Sequence, residues 1–138
     1  MTDNLGVATV LVDQNQVLLA KRKNAYGAGL WGCPGGRLSD QESLEQTFRR
    51  ELAEETGVEP VEYYLAGVIK EWQVDAFFIH FIFVCRQWRG EISNQEPDKS
   101  EPWRWFDLDH LPTDILPGHL AGIKLAKKDS KILQLVEI

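Results

Sequence analysis

"GGRLSDQESLEQTFRRELAEETGV", residues 35–58, decides how the rest of the chain is read. It opens on two glycines and crowds Glu51, Glu54 and Glu55 onto one turn of a predicted helix. Leu44, Phe48 and Leu52 recur at i, i+4 and i+8 within residues 43–56, and Gly57 stands where a helix stop belongs. Side chains three or four apart are neighbours on a helix, and like charges there oppose it by about 0.2–0.5 kcal/mol per pair. At about 100° per residue the three carboxylates fall along the border of the apolar stripe rather than opposite it. That border is partly dried by the core, so a cation is the natural compensation and a solvated acidic face the weaker alternative.

Clustered carboxylates are hard oxygen ligands of the kind Mg²⁺ or Mn²⁺ takes, one or two from protein and the rest from water and phosphate. Gly35 and Gly36 let backbone approach an ion or phosphate closely and offer a carbonyl. Arg50, beside Glu51, is a candidate for orienting a carboxylate. "AKRK" places Lys21, Arg22 and Lys23 next to the glycine-rich loop, the local cations that a polyphosphate needs in a chain with 15 Lys+Arg against 21 Asp+Glu. The net charge of −6 argues against a broad nucleic-acid or acidic-membrane footprint. His80, His110 and His119 are scattered and the two cysteines, Cys33 and Cys85, show no metal-ligand spacing, so zinc is disfavoured. The cysteines read as reduced core thiols of a cytoplasmic protein, since no signal-peptide pattern and no apolar run of about 18 residues is present.

With 138 residues, 43% of them hydrophobic and no internal repeat or linker, one domain is expected over residues 1–138. Residues 7–12 and 16–22 read as a hairpin, and "AYGAGLWGCPGG" as loop on both sides of a short strand near Trp31. "VEYYLAGVIKEW", "AFFIHFIFVCRQW" and "PWRWFDL" read as strands, the middle one central, and "NQEPDKSE" as polar loop. Pro112 and Pro117 are expected to block helix, after which "HLAGIKLAKKDSKILQLVEI" reads as a second helix. Strands interleaved with two amphipathic helices predict an α/β fold with a mixed sheet between the helices. Trp31, Phe81 and residues 115–120 are candidates for a base pocket, although aromatics at strand spacing are more often core.

The sequence resembles a known family. From Gly36 it runs Gly, five residues, Glu42, seven residues, then "RELAEETGV" from Arg50 to Val58, which satisfies the fixed positions of the Nudix box. The resemblance implies a Nudix α/β/α sandwich and hydrolysis of a nucleoside diphosphate linked to another moiety. It implies that Glu51, Glu54 and Glu55 bind Mg²⁺ with the Gly36 carbonyl, and that Glu42 and Arg50 support the loop and helix. "LLAKRKNAYGAGLWGCPGG" and "NQEPDKSEPWRWFDLDHLP" resemble the MutT-related nucleoside triphosphate diphosphatases. That likeness implies that Arg22 contacts phosphate and that Glu96 or Glu101 lends a further carboxylate. Glu51 and Glu54 are both candidates for accepting the water's proton. Gln41 stands where a glycine is common, so "RLSDQ" is expected to take its own loop shape. Rival readings are an ADP-ribose or dinucleoside polyphosphate hydrolase and a non-catalytic nucleotide sensor. The short stretch ahead of the first strand argues against the extra N-terminal domain of many ADP-ribose enzymes. Oligomeric state is open, a homodimer included.

Overall fold

The computed structural model describes residues 4–23 and 27–138. Residues 1–3, and residues 24–26 at the start of the expected glycine-rich loop, lie outside the described residues. The predicted hairpin is β1 (Leu5–Asp13) and β2 (Gln16–Lys21), joined through Gln14 at φ 56. β1 is buried from Val7 to Val12 on both faces, as a strand between two layers must be. β3 (Trp31–Gly32) pairs with the end of β2, and β4 (Gly35–Arg37) runs antiparallel to the start of β1, setting Gly36 opposite Val7 and Gly35 opposite Ala8.

α1 (Leu44–Thr56) begins at a capping box in which Ser43 Oγ accepts from Gln46 N and Ser43 N donates back to Gln46 Oε1. It ends at Gly57 with φ 79, the left-handed stop that glycine adopts without a Cβ clash. β5 (Glu59–Trp72) and β6 (Phe77–Arg89) form a long antiparallel pair, and β6 runs parallel to β1. β7 (Arg104–Asp107) pairs with β2. α2 (Pro117–Lys128) leads to β8 (Gln134–Glu137), parallel to the outer edge of β5.

The main sheet runs β3-β2-β1-β6-β5-β8, mixed as expected, with a core on each face. Phe48 and Leu52 of α1 pack with Leu11, Phe83 and Cys85, and the Phe48 and Phe83 rings stack at 4.1 Å. Ile123, Leu125 and Ala126 of α2 pack with Val10, Ile69, Ile82 and Val84 on the opposite face.

The C-terminal region departs from expectation in two ways. Pro117 does not block the second helix but begins it, because the first turn has no use for the missing N–H and proline's φ is already helical. The helix stops at Lys128, where Asp129 turns left-handed at φ 48, and the tail becomes β8. The tail's apolar residues are ambiguous in spacing, and the open hydrogen-bonding edge of β5 settles them as strand.

Candidate active site

The acidic turn of α1 is docked onto the glycine strand. Gly35 N donates to Glu55 Oε2, so the carboxylate caps the backbone of β4 from the helix side. A Cβ on Gly36 would fall on the Glu51 carboxyl, and one on Gly35 on the Val7 carbonyl. Both positions are therefore glycine for closeness: Gly36 to admit Glu51, and Gly35 to let β4 lie against β1.

Arg50 gathers the remaining acids. Its Nε donates to both Glu42 oxygens at 3.0 and 2.9 Å, while Nη1 reaches Glu51 at 3.1 Å and Glu54 at 3.1 and 3.2 Å. The guanidinium holds the Glu42 carboxyl below the usual range and is itself raised by these anions. Glu55 behaves oppositely: burial pushes it up to about 8, against the Gly35 N–H that favours its charge, with Glu51 and Glu96 adding repulsion. Glu51 is also raised, mainly by burial. Two half-buried, mutually repelling carboxylates side by side form a site that a cation would stabilise.

Glu51, Glu55, Gly35, Gly36, Arg22, Arg37, Lys99 and Trp103 share a cleft of about 670 Å³. A more open depression of about 600 Å³ on the outer side of α1, lined by Glu42, Arg49 and Arg50, contains none of the docked pair and offers phosphate no glycine backbone. Glu54 is half-exposed and turned to Arg50, outside the cleft lining. Lys21 lies toward Trp31, its Nζ 5.9 Å from the ring, and Lys23 donates to the Pro97 carbonyl. Phe81 packs into the α1-side core and Trp31 edges onto Phe106 at 4.9 Å, so neither lines the cleft, whereas Leu116 and His119 from residues 115–120 do.

The polar loop is tied to the end of α1. Trp103 Nε1 donates to the Glu55 carbonyl at 3.1 Å, and Gln95 N donates to the same oxygen. Glu96 is thereby brought near enough to repel Glu51 and Glu55, and it pairs with Lys99 at 3.2 Å. Glu101 is exposed, its backbone N bonded to Lys21 O, and it does not figure among the charges acting on the pair. Sequence reasoning did not single out Trp103, Lys99, Phe78 or His80 as cleft residues. For Lys99 and Trp103 the legible signal was the cationic and aromatic content of "KSEPW" in the polar loop.

Residues 2–126 match the family model for the NUDIX domain. The chain belongs to the NUDIX family. It is 35% identical over 114 residues to the oxidized purine nucleoside triphosphate hydrolase of Danio rerio, covering 80% of this chain and 70% of that one. Its fold superposes on the MutT NUDIX hydrolase of Burkholderia pseudomallei with a TM-score of 0.83 at 29% identity, over 88% of this chain and 96% of that one. The NUDIX domain of Shewanella oneidensis NrtR, in complex with ADP ribose, superposes with a TM-score of 0.79 at 29% identity, over 94% and 89%. This NUDIX protein is thus a MutT-like α/β hydrolase of phosphoric anhydride bonds, the expected fold class. No helix among the described residues is long and apolar enough to cross a membrane.

NUDIX hydrolases generally require a divalent metal. Among the described residues no three Asp, Glu, His or Cys side chains converge as a ready-made coordination sphere. The donor set still fits a hard cation of modest protein ligation: two half-buried carboxylates beside glycine backbone, in a cleft that Arg22, Arg37 and Lys99 also line.

Proposed function

We propose that this NUDIX protein hydrolyses nucleoside triphosphates, oxidised purine nucleotides among them, to monophosphate and pyrophosphate with Mg²⁺, Mn²⁺ substituting. The observation that carries this reading is the pair of half-buried carboxylates Glu51 and Glu55 pressed on Gly35 and Gly36, in one cleft with Arg22 and Lys99. Glu51 and Glu55 would hold the metal with the Gly36 carbonyl, Glu96 is the better placed of the two loop acids to join them, and Glu54 completes the set if it leaves Arg50. When bound, the cation supplies charge to the phosphoryl oxygens and makes water more acidic.

The chain's own residues do the rest. Arg22 and Lys99 grip phosphate oxygens, and Gly35 and Gly36 let the phosphates approach the backbone. Glu51 faces the cleft with a raised pKa and accepts the attacking water's proton, while Arg50 keeps Glu51, Glu54 and Glu42 in place. A second reading, ADP-ribose hydrolysis, draws support from the ADP-ribose complex of the NrtR domain.

The test is a panel of ribo- and deoxynucleoside triphosphates, 8-oxo-dGTP and ADP-ribose with Mg²⁺, assaying pyrophosphate and orthophosphate separately. Pyrophosphate release from triphosphates is expected, and EDTA should abolish it. Much faster turnover of ADP-ribose than of every triphosphate would overturn the substrate assignment and leave the family intact.

A further inference from the structure

The α2 side of the cleft carries polar residues that phosphate chemistry does not use. Glu71 on β5 is only 4% exposed, and its Oε1 lies 2.9 Å from Nε2 of His80 on β6. Gln73 Nε2 donates to the other Glu71 oxygen at 2.9 Å. With both carboxylate oxygens accepting, His80 donates from Nε2, and in the neutral ring its Nδ1 is left as an acceptor. His119 is fixed the other way round. Cys33 N donates to its Nδ1 at 2.9 Å, and burial brings its pKa down to about 3, so the neutral ring carries its proton on Nε2.

The two imidazoles cross at 90° with centroids 5.9 Å apart, and both line the cleft. Neither His80 Nδ1 nor His119 Nε2 has a protein partner among the described residues. One nitrogen acceptor and one N–H donor are therefore held in set tautomers on the same wall. Asn4 adds a second acceptor: its Nδ2 donates to the Phe77 carbonyl at 2.9 Å, which leaves Oδ1 over, and Phe78 supplies an apolar surface. The start of α2 is shaped to this arrangement. A Cβ on Gly118 would come within 2.5 Å of His80 Nε2 and 2.7 Å of Glu71 Oε1, so only glycine lets the helix close on the couple. A buried carboxylate is costly unless it is hydrogen-bonded, and Glu71 is held at both oxygens.

We propose that His80 is a specificity-determining residue that reads the nucleobase: its Nδ1 accepts from a ring N–H of an oxopurine, His119 Nε2–H donates to the neighbouring carbonyl, and Glu71 is the positioning residue that fixes the His80 tautomer. This rests on the nucleotide-hydrolase reading above. Guanine and its 8-oxo form set a ring N–H beside a carbonyl, whereas adenine and cytosine carry no ring N–H on their pairing edge. A site whose polar groups would be left unpaired rejects the wrong base more strongly than an apolar pocket can.

Glu71→Gln and His80→Phe test it, with ¹⁵N long-range NMR for the tautomer and kinetics on dGTP, 8-oxo-dGTP, dATP and dCTP. A glutamine can donate or accept, so Glu71→Gln should mix the His80 tautomers that are uniformly Nε2–H in the unaltered protein. Both variants should raise KM for the two oxopurine nucleotides about 10-fold or more, with kcat, and all parameters for dATP and dCTP, within about 3-fold. Equal losses on all four bases, or an unchanged tautomer and preference in Glu71→Gln, would overturn the inference. If the unaltered protein cleaves none of the four, the proposed function fails instead, and calorimetry with the monophosphates decides this point. Selective weakening of dGMP over dAMP by His80→Phe upholds base reading, and equal weakening rejects it.

Discussion

The carboxylate of Glu55 accepts the backbone N–H of Gly35, fastening the last turn of α1 to the strand that crosses beneath the cleft. Burial outweighs that hydrogen bond, so without metal the group holds its proton up to about pH 8. An unfolded glutamate ionises near pH ~4.3. The folded pKa being the higher, Glu55's contribution to stability is whole below that value and is lost as pH rises through about 8. In EDTA the melting temperature of the unaltered protein should therefore fall more steeply between pH 5 and 8 than that of Glu55→Gln. Mg²⁺ should reverse the fall, and its binding near pH 7 should release protons to an indicator dye. Parallel melting curves for the two proteins would contradict the burial of this charge.

Carboxylate substitutions should divide by location. Glu55→Gln and Glu51→Gln should each lower kcat by about 10²-fold or more in saturating Mg²⁺, the scale of a lost electrostatic group. Glu45 lies on the same helix but accepts from the Tyr63 hydroxyl at 2.7 Å, away from the cleft. Glu45→Gln should leave kcat within about 2-fold and change stability by no more than ~1 kcal/mol. Steady-state kinetics on the three variants compare the two faces directly.

The two glycines should fail differently when given a methyl group. Gly35→Ala meets the Val7 backbone, which cannot move without disturbing β1, and should destabilise the fold by roughly 1–3 kcal/mol in urea. Gly36→Ala meets only the end of the Glu51 side chain, which can swing away. Its melting temperature should change little, while the Mg²⁺ concentration needed for half-maximal rate rises.

Arg50→Lys keeps the charge but cannot reproduce a fork that spans Glu42, Glu51 and Glu54. Activity or metal affinity should fall about 10–100-fold, the usual effect of losing a residue that orients ligands. Because Arg50 is partly exposed, 36% for its side chain, stability should change by less than ~1 kcal/mol. A large loss of stability with normal kinetics would make Arg50 a structural residue.

Trp103→Phe retains the ring's bulk and removes the hydrogen bond to the Glu55 carbonyl. A stability loss of about 1 kcal/mol is expected, together with a higher Mg²⁺ requirement, since the loop that brings Glu96 to the pair is loosened. Thermal melts and a Mg²⁺ titration on the same preparation separate the two effects.

The first helix and its glycine stop, the N-terminal hairpin, the long strands and the spacing of acids from glycines were legible along the chain. Each of these is written in residues close along the chain: Ser43 and Gln46, Gly57, the Leu44-Phe48-Leu52 stripe, and Gly36 followed by Glu51 at family spacing. Local propensity and short-range periodicity govern such features. Packing between distant segments settled the remainder. Whether residues 134–137 became helix or strand depended on the free edge of β5, from which they are distant in sequence. That Glu51 and Glu55 line the cleft while Glu54 lies outside it follows from how α1 docks on β4; that Phe81 enters the α1-side core while Phe78 borders the cleft, and that Glu71, His80 and His119 meet at all, follow from how β5, β6 and α2 cross. A strand's alternation says that neighbours face opposite sides, but only packing says which side is core and which is cleft.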